Sequence, residues 1–259
     1  MDGKIYAIPT QTVTPIIFYY NKELFDQAGA EPPATWDDLM SLTKTFNDMG
    51  VAPLSLGGQS RWTSMMWLEY LYDRVGGPEV FTAIYNGEPD AWSNPAAIQA
   101  TTMIQDLVKA DGFIKGFTSI TADSNADQAL LYTGKAANTV GNPAGYQSIS
   151  SKASESEKEA AKKYFKDGLL TDTEIDAYIE TGSVPIVKDI EDKLAQSDDS
   201  EFLTFQYELT KNAPNFQQSW DQALSPTAAE ALLSNIDQLF LLSITPEEFA
   251  DNMNATLGT

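Results

Sequence analysis

Four helix-start signals, spread from Thr35 to Glu248, constrain this chain more than any other feature. Thr35 with Asp38, Ser154 with Glu157, Thr171 with Glu174, and Thr245 with Glu248 each place a hydroxyl acceptor three residues ahead of a carboxylate. At that spacing the two side chains satisfy unpaired amides of a first helical turn, and Pro246 suits the first helical position. Behind Thr35, the residues Leu39, Leu42 and Phe46 recur at helical spacing until Gly50, and Gly29 closes a shorter helix over 22–28. The same reading predicts helices over 63–75, 78–85, 95–110, 124–131, 154–169, 189–196, 201–211, 227–243 and 246–257. Strands are few and short: 4–9, 15–20 and 51–56 carry β-branched or aromatic runs bounded by Pro, Gly or polar residues. The chain reads as helix-rich α/β or α+β, with no internal repeat and no low-complexity tract.

Composition removes whole classes of function. Histidine and cysteine are absent, so imidazole bases, thiol nucleophiles, iron-sulfur centres and His/Cys zinc sites have no ligands or bases here. The 259 residues include 37 acidic and 16 basic side chains, a formal charge of −21. Such a surface repels phosphate backbones and anionic lipid heads, which excludes nucleic acid and the membrane surface as partners. A hydrophobic content of 42% is that of a folded chain rather than a disordered one. No apolar run approaches the roughly 20 residues that span a bilayer. Met1-Asp2-Gly3-Lys4 lacks the basic and apolar regions of a signal peptide, so the sequence is expected to carry no export signal.

Aromatic residues beside polar loop residues are the features that point to a ligand. Trp62 follows Arg61 at a loop-to-helix boundary, Trp220 precedes Asp221, and Tyr146 follows the loop Gly141-Asn142-Pro143-Ala144-Gly145. A flat aromatic face covers the C–H face of a pyranose, while Asp, Asn and Arg take its hydroxyls. The competing reading is that each aromatic fills the core. Trp36 and Trp67, inside helical patterns, read as core. Asp123-Ser124-Asn125-Ala126-Asp127 begins like a calcium loop, but Gln128 stands where Gly is needed and Gly134 where Glu is needed. An Asp N-cap is the better reading, and neither a metal nor any other cofactor is expected. Glu88 and Asp90 could serve as a glycosidase pair only if their separation in space suited that mechanism. The charge clusters at 155–163 and 189–193 read as solvated helix faces with i,i+4 pairs.

The order of several blocks carries a resemblance. Asp2-Gly3-Lys4-Ile5-Tyr6-Ala7-Ile8-Pro9, Tyr20-Asn21-Lys22-Glu23-Leu24-Phe25 and Pro33-Ala34-Thr35-Trp36-Asp37-Asp38-Leu39 come first. Gly134-Lys135-Ala136-Ala137, Gly141 to Tyr146, Ser150 to Phe165, and Thr245-Pro246-Glu247-Glu248-Phe249-Ala250 follow. Together they resemble the carbohydrate-specific extracellular solute-binding proteins of ABC importers, the maltodextrin-binding-like family 1. The resemblance implies an α/β, type II periplasmic-binding-protein-like fold in which this chain represents mainly the C-terminal lobe. Residues 1–259 would form an incomplete solute-binding domain, with about 150–200 returning to the N-terminal lobe. It implies a non-enzymatic protein that holds a neutral oligosaccharide in a cleft between lobes and delivers it to an ABC permease. Its members are extracellular, as cell-surface lipoproteins or in the periplasm. By resemblance, Arg61, Trp62, Asn142, Tyr146, Trp220 and Asp221 lie at the ligand, with Thr14 matching a cleft position more loosely.

Two departures from the family pattern follow. Most of the first lobe, export signal included, precedes the Asp-Gly-Lys block in the family, whereas here that block follows Met1 directly. At Ala137-Asn138-Thr139-Val140 the family's strand, Gly-x-Trp turn and further strand are skipped. The chain is therefore expected to be a truncated or edited member. The alternatives are a carboxylate-dependent glycoside hydrolase, a carbohydrate-binding fragment of one, and an interaction module whose aromatics are all core.

Overall fold

At Thr35, Ser154 and Thr245 the hydroxyl accepts from the N3 amide, and the N3 carboxylate accepts from the cap amide. At Thr171 only the first half forms, because Glu174 takes the amide of Leu170 instead. These caps are seen in a computed structural model that describes residues 8–9, 15–140, 146–147, 153–214 and 217–258, with the backbone alone at 8–9, 140 and 146–147.

In chain order the elements are β1 (Ile8–Pro9), β2 (Phe18–Tyr20), α1 (Lys22–Ala28), α2 (Trp36–Asp48), β3 (Ala52–Leu54), α3 (Trp62–Gly76), α4 (Pro78–Tyr85), α5 (Pro95–Lys109), α6 (Ala126–Tyr132), β4 (Ala136–Val140) and β5 (Tyr146–Gln147). There follow α7 (Glu155–Asp167), α8 (Asp172–Glu180), α9 (Glu191–Leu194), α10 (Ser200–Lys211), α11 (Trp220–Ala223), α12 (Pro226–Phe240) and α13 (Pro246–Asn254). They fall into two units: Met1–Ile17 with Gly141–Pro214, and Phe18–Val140 with Asn215–Thr259.

The second unit is built on a three-stranded sheet ordered β2-β4-β3. β4 runs antiparallel to β2, pairing Tyr19 with Thr139, and parallel to β3, pairing Leu54 with Asn138. The stretch expected to be a bare join is thus the central strand. Ala136, Ala137, Asn138 and Thr139 are all buried, so small side chains are what this strand needs, although they give little strand signal in sequence. α3, α5, α12 and α13 supply the main core, where Leu68, Leu71, Ile104, Leu107, Ile236 and Met253 are closed from solvent. Trp67 is buried in this core, and Trp36 lies partly buried against it. A satellite cluster of Phe25, Leu42 and Phe46 packs with Ala137.

In the first unit β1 and β5 pair antiparallel, Pro9 opposite Tyr146. A small core of Ile175, Ile179, Leu194, Leu203 and Tyr207 joins α8, α9 and α10. α7 buries none of its residues, and its ion pairs, Lys158–Glu155 and Lys162–Glu159, are spaced i,i+3 rather than i,i+4. Among the described residues no helix is long and apolar enough to cross a membrane.

Candidate functional site

Two loops of the second unit meet beside the start of α3. Gly57 and Gly58 permit the approach: a Cβ at Gly57 would lie 2.8 Å from Ala122 Cβ, and one at Gly58 2.7 Å from the Phe117 ring. Gln59 N donates to Ile120 O at 3.0 Å, and Ser60 Oγ accepts from Ala122 N at 3.1 Å. Ser60 Oγ also donates to Asp123 Oδ2 at 3.0 Å, and Trp62 Nε1 makes a long bond of 3.4 Å to Asp123 Oδ1. The indole of Trp62 is half-buried, resting against the main core. The junction therefore offers a partly exposed indole and a carboxylate side by side on a rim.

Arg61 occupies the N-cap of α3 at φ 54, a left-handed backbone conformation that a residue with a Cβ adopts only under constraint. A tight turn holds the backbone there, with Ser60 N donating to Gly57 O at 3.0 Å and Arg61 N to Gly58 O at 3.2 Å, and the guanidinium bonds Glu230 at 3.1 Å and Asp237 at 3.0 Å, both on α12. Burial pushes the Asp237 carboxyl up from its ordinary value, and the Arg61 charge opposes that rise. Arg61 is thus committed to α12 in this structure.

A second polar feature involves residues that flank the rim in the chain and was not among the residues expected from sequence. Ser55, Thr63, Asp127 and Thr139, with Leu56, Met66 and Trp67, line a recess of about 10 Å³. Asp127 sits in the first turn of α6 and is 6% exposed. Burial raises its carboxyl pKa, backbone hydrogen bonds oppose this, and the nearby Asp123 charge adds to it. The cap of α6 is Asn125, at φ 55 and without a side-chain capping bond, which corrects the expectation of an Asp N-cap. The mixture of a short apolar run with Asp and Ser could be seen in sequence, but which side chains turn inward could not.

Trp220 is the clear correction. Expected as a stacking platform, it is 0% exposed, stacked on Phe81 with ring centroids 5.0 Å apart, and edge-on to Tyr72 at 5.0 Å and Trp92 at 5.4 Å. An indole enclosed by rings has no open face for a sugar. Its backbone N donates to Glu69 Oε1 at 2.6 Å, and Ser219 Oγ donates to the same oxygen at 3.1 Å. Burial pushes the Glu69 carboxyl up to about 7 despite those two bonds, with the Asp221 charge adding to the rise. Asp221 is half-buried, and its Oδ1 has no hydrogen-bond partner among the described residues. Thr14 and Asn142 lie outside the described residues, as does the side chain of Tyr146, whose backbone is in β5.

A larger pocket of about 360 Å³ lies elsewhere, between the end of α4 at Tyr85 and residues 256–258. It includes none of the expected site residues. Glu88 and Asp90 are exposed in the loop after α4. Among the described residues no group of three or more Asp or Glu is placed to hold a metal ion.

Comparison with known proteins places these features in context. The sequence profile described as bacterial extracellular solute-binding protein matches residues 1–171. A probable sugar-binding periplasmic protein of Mesorhizobium japonicum is 32% identical over 90 residues, 35% of this chain and 21% of that protein. The diacetylchitobiose binding protein NgcE of Streptomyces coelicolor is 29% identical over 120 residues, 44% of this chain and 26% of that protein. The aligned stretches thus span about a quarter or less of these curated relatives. Among solved structures, one from work on xylan utilisation by Caldanaerobius polysaccharolyticus superposes with a TM-score of 0.83 at 26% identity, covering 100% of this chain and 74% of that one. A chitin oligosaccharide binding protein superposes equally well, with a TM-score of 0.83 at 22% identity over 98% of this chain and 71% of its own.

Proposed function

Because the chain belongs to the bacterial extracellular solute-binding protein family and has the helix-rich α/β fold of type II periplasmic binding proteins, we propose that it is a sugar-capturing component of an ABC import system. It acts outside the cytoplasmic membrane, binds a neutral oligosaccharide without transforming it, and hands it to the membrane permease. The observation that carries the reading is the rim at residues 60–62. A half-buried indole lies against the core beside Ser60 and Asp123, so an apolar surface for a pyranose face adjoins acceptors for its hydroxyls. The names of the relatives, a sugar-binding periplasmic protein and a diacetylchitobiose binding protein, support a carbohydrate ligand. Thr14, Asn142 and Tyr146 are assigned to the ligand by family resemblance. The grouping of Met1–Ile17 with Gly141–Pro214 supports reading that unit as the part returning to the N-terminal lobe, and the second unit as the C-terminal lobe.

Titration calorimetry with xylo-, malto-, galacto- and chito-oligosaccharides tests the proposal. The expected result is binding in the micromolar range to at least one series, with no product on chromatography of the recovered sugar. Absence of heat across all four series from folded protein overturns the sugar reading, and release of shorter sugars overturns the non-enzymatic one.

A further inference from the structure

The recess lined by Ser55, Asp127 and Thr139 has the size and chemistry of a subsite for one functional group. It lies where the parallel strands β3 and β4 end: Ser55 follows β3, and Thr139 is the last residue but one of β4. Open α/β sheets take their ligands at the carboxyl ends of strands. Ser55 is 3% exposed, its N donates to Asn138 O at 2.8 Å, and its Oγ has no hydrogen-bond partner among the described residues. A buried hydroxyl left unpaired is costly, so such groups in native proteins are met by a further partner. Thr63 cannot supply it as a donor, since its Oγ1 donates to Gly57 O at 2.8 Å. Asp127 Oδ1 accepts from Gln128 N at 2.9 Å, and a carboxylate retains further acceptor sites. A volume of about 10 Å³ admits one water or one hydroxyl and no sugar ring.

The recess and the rim are neighbours along the chain, the rim on two loops and the recess on the elements that those loops join. Leu56 and Thr63 bracket residues 57–62, and Asp127, in the first turn of α6, comes four residues after Asp123. We infer that the recess formed by Ser55, Asp127 and Thr139 is a specificity-determining subsite that accepts one hydroxyl group of a neutral sugar whose ring lies on the rim at Trp62. The hydroxyl donates to the Asp127 carboxylate and pairs with Ser55 Oγ, so sugars lacking that one group, or presenting it in the other configuration, are rejected. This inference rests on the proposed sugar-binding function and adds the group that is read and the residues that read it.

The test is calorimetry on the full chain with xylotriose, maltotriose and N,N′-diacetylchitobiose, followed by the monodeoxy analogues of whichever probe binds. Asp127→Asn and Ser55→Val are each expected to weaken binding about tenfold or more, since the first puts an amide donor where the carboxylate accepts and the second removes the buried hydroxyl. Wild type is expected to lose a similar factor on one monodeoxy analogue, and the variants to show no further loss on that same analogue. This coupling is a signature that a purely structural role does not produce. If Asp127→Asn fails to fold by circular dichroism, Ser55→Val, which fills the recess with an apolar group of similar reach, carries the same cycle. Binding of a probe by wild type, with the variant losses spread evenly over all deoxy positions or absent, overturns the inference and leaves a polar core recess holding a structural water. Binding of none of the three probes or the wider panel by folded wild type overturns the sugar reading itself, and the subsite with it.

Discussion

Trp62 and Trp220 occupy the same local position in one folded unit. Each is the first residue of a helix, α3 and α11, and each has a carboxylate beside it. Trp62 stays half-open, with Nε1 directed to Asp123 on the neighbouring loop. Trp220 is closed over by Phe81, Tyr72 and Trp92, and its Nε1 has no partner among the described residues. The carboxylates differ in parallel. Asp123 is exposed and shares its oxygens between a hydroxyl and an indole, whereas Glu69 is buried and holds the backbone of Trp220 in place. An aromatic residue at a loop-to-helix boundary becomes a ligand surface or a core residue according to what packs over it, and in this unit both outcomes occur.

The comparison is broken most severely at Trp220. Trp220→Ala is expected to cost about 3 to 5 kcal/mol in urea unfolding, the range for a fully buried large aromatic, and a loss below about 1 kcal/mol would show that the ring is not core. The next effect is a pH dependence at Glu69. Its folded carboxyl titrates at about 7 against an ordinary value of 4.5, so the folded state holds the proton more tightly than the unfolded state does. The resulting contribution is present in full below pH 4.5 and is lost as pH rises through about 7. Its size is on the order of 3 kcal/mol. Glu69→Gln keeps an acceptor for the amide of Trp220 and has no carboxyl to titrate, so the wild-type unfolding free energy minus that of the variant should fall by this amount between pH 4.5 and about 7 and favour the variant at pH 8. Equal slopes for the two proteins would remove Glu69 from the account.

Trp62→Ala sharpens the contrast from the other side. It should cost about 1 to 2 kcal/mol of stability, because only part of the ring is buried, while sugar affinity falls at least tenfold. Retention of affinity would move the ligand away from the rim. Arg61 is expected to give the smallest effect. Its ion pairs to Glu230 and Asp237 are partly solvated, so Arg61→Gly, which also relieves the positive φ, should change stability by less than about 1 kcal/mol. A larger loss in thermal melts would mean that those pairs hold α12 against α3.

Local chemistry made much of this legible. The caps at Thr35, Ser154 and Thr245 and the glycine stop at Gly29 are formed where spacing placed them, because capping depends on residues within one turn of each other. The resemblance carried by ordered blocks led to the family that the profile matches. Burial was not legible to the same depth. Ala136-Ala137-Asn138-Thr139 carries almost no strand signal, and only pairing with β2 on one side and β3 on the other makes it the centre of the sheet.

For the candidate site the division is similar. Sequence alone identified Arg61 and Trp62 at a loop-to-helix boundary, since Gly-Gly, Ser and the apolar run that follows set that boundary locally. Tertiary structure alone decided that Arg61 is bound to α12, that Trp220 belongs to the core, and that Ser55 and Asp127, far apart in the chain, line one recess. Helix starts are determined by interactions among neighbours in sequence. The exposure of a ring and the partners of a charge depend on which distant elements the hydrophobic effect brings to cover them.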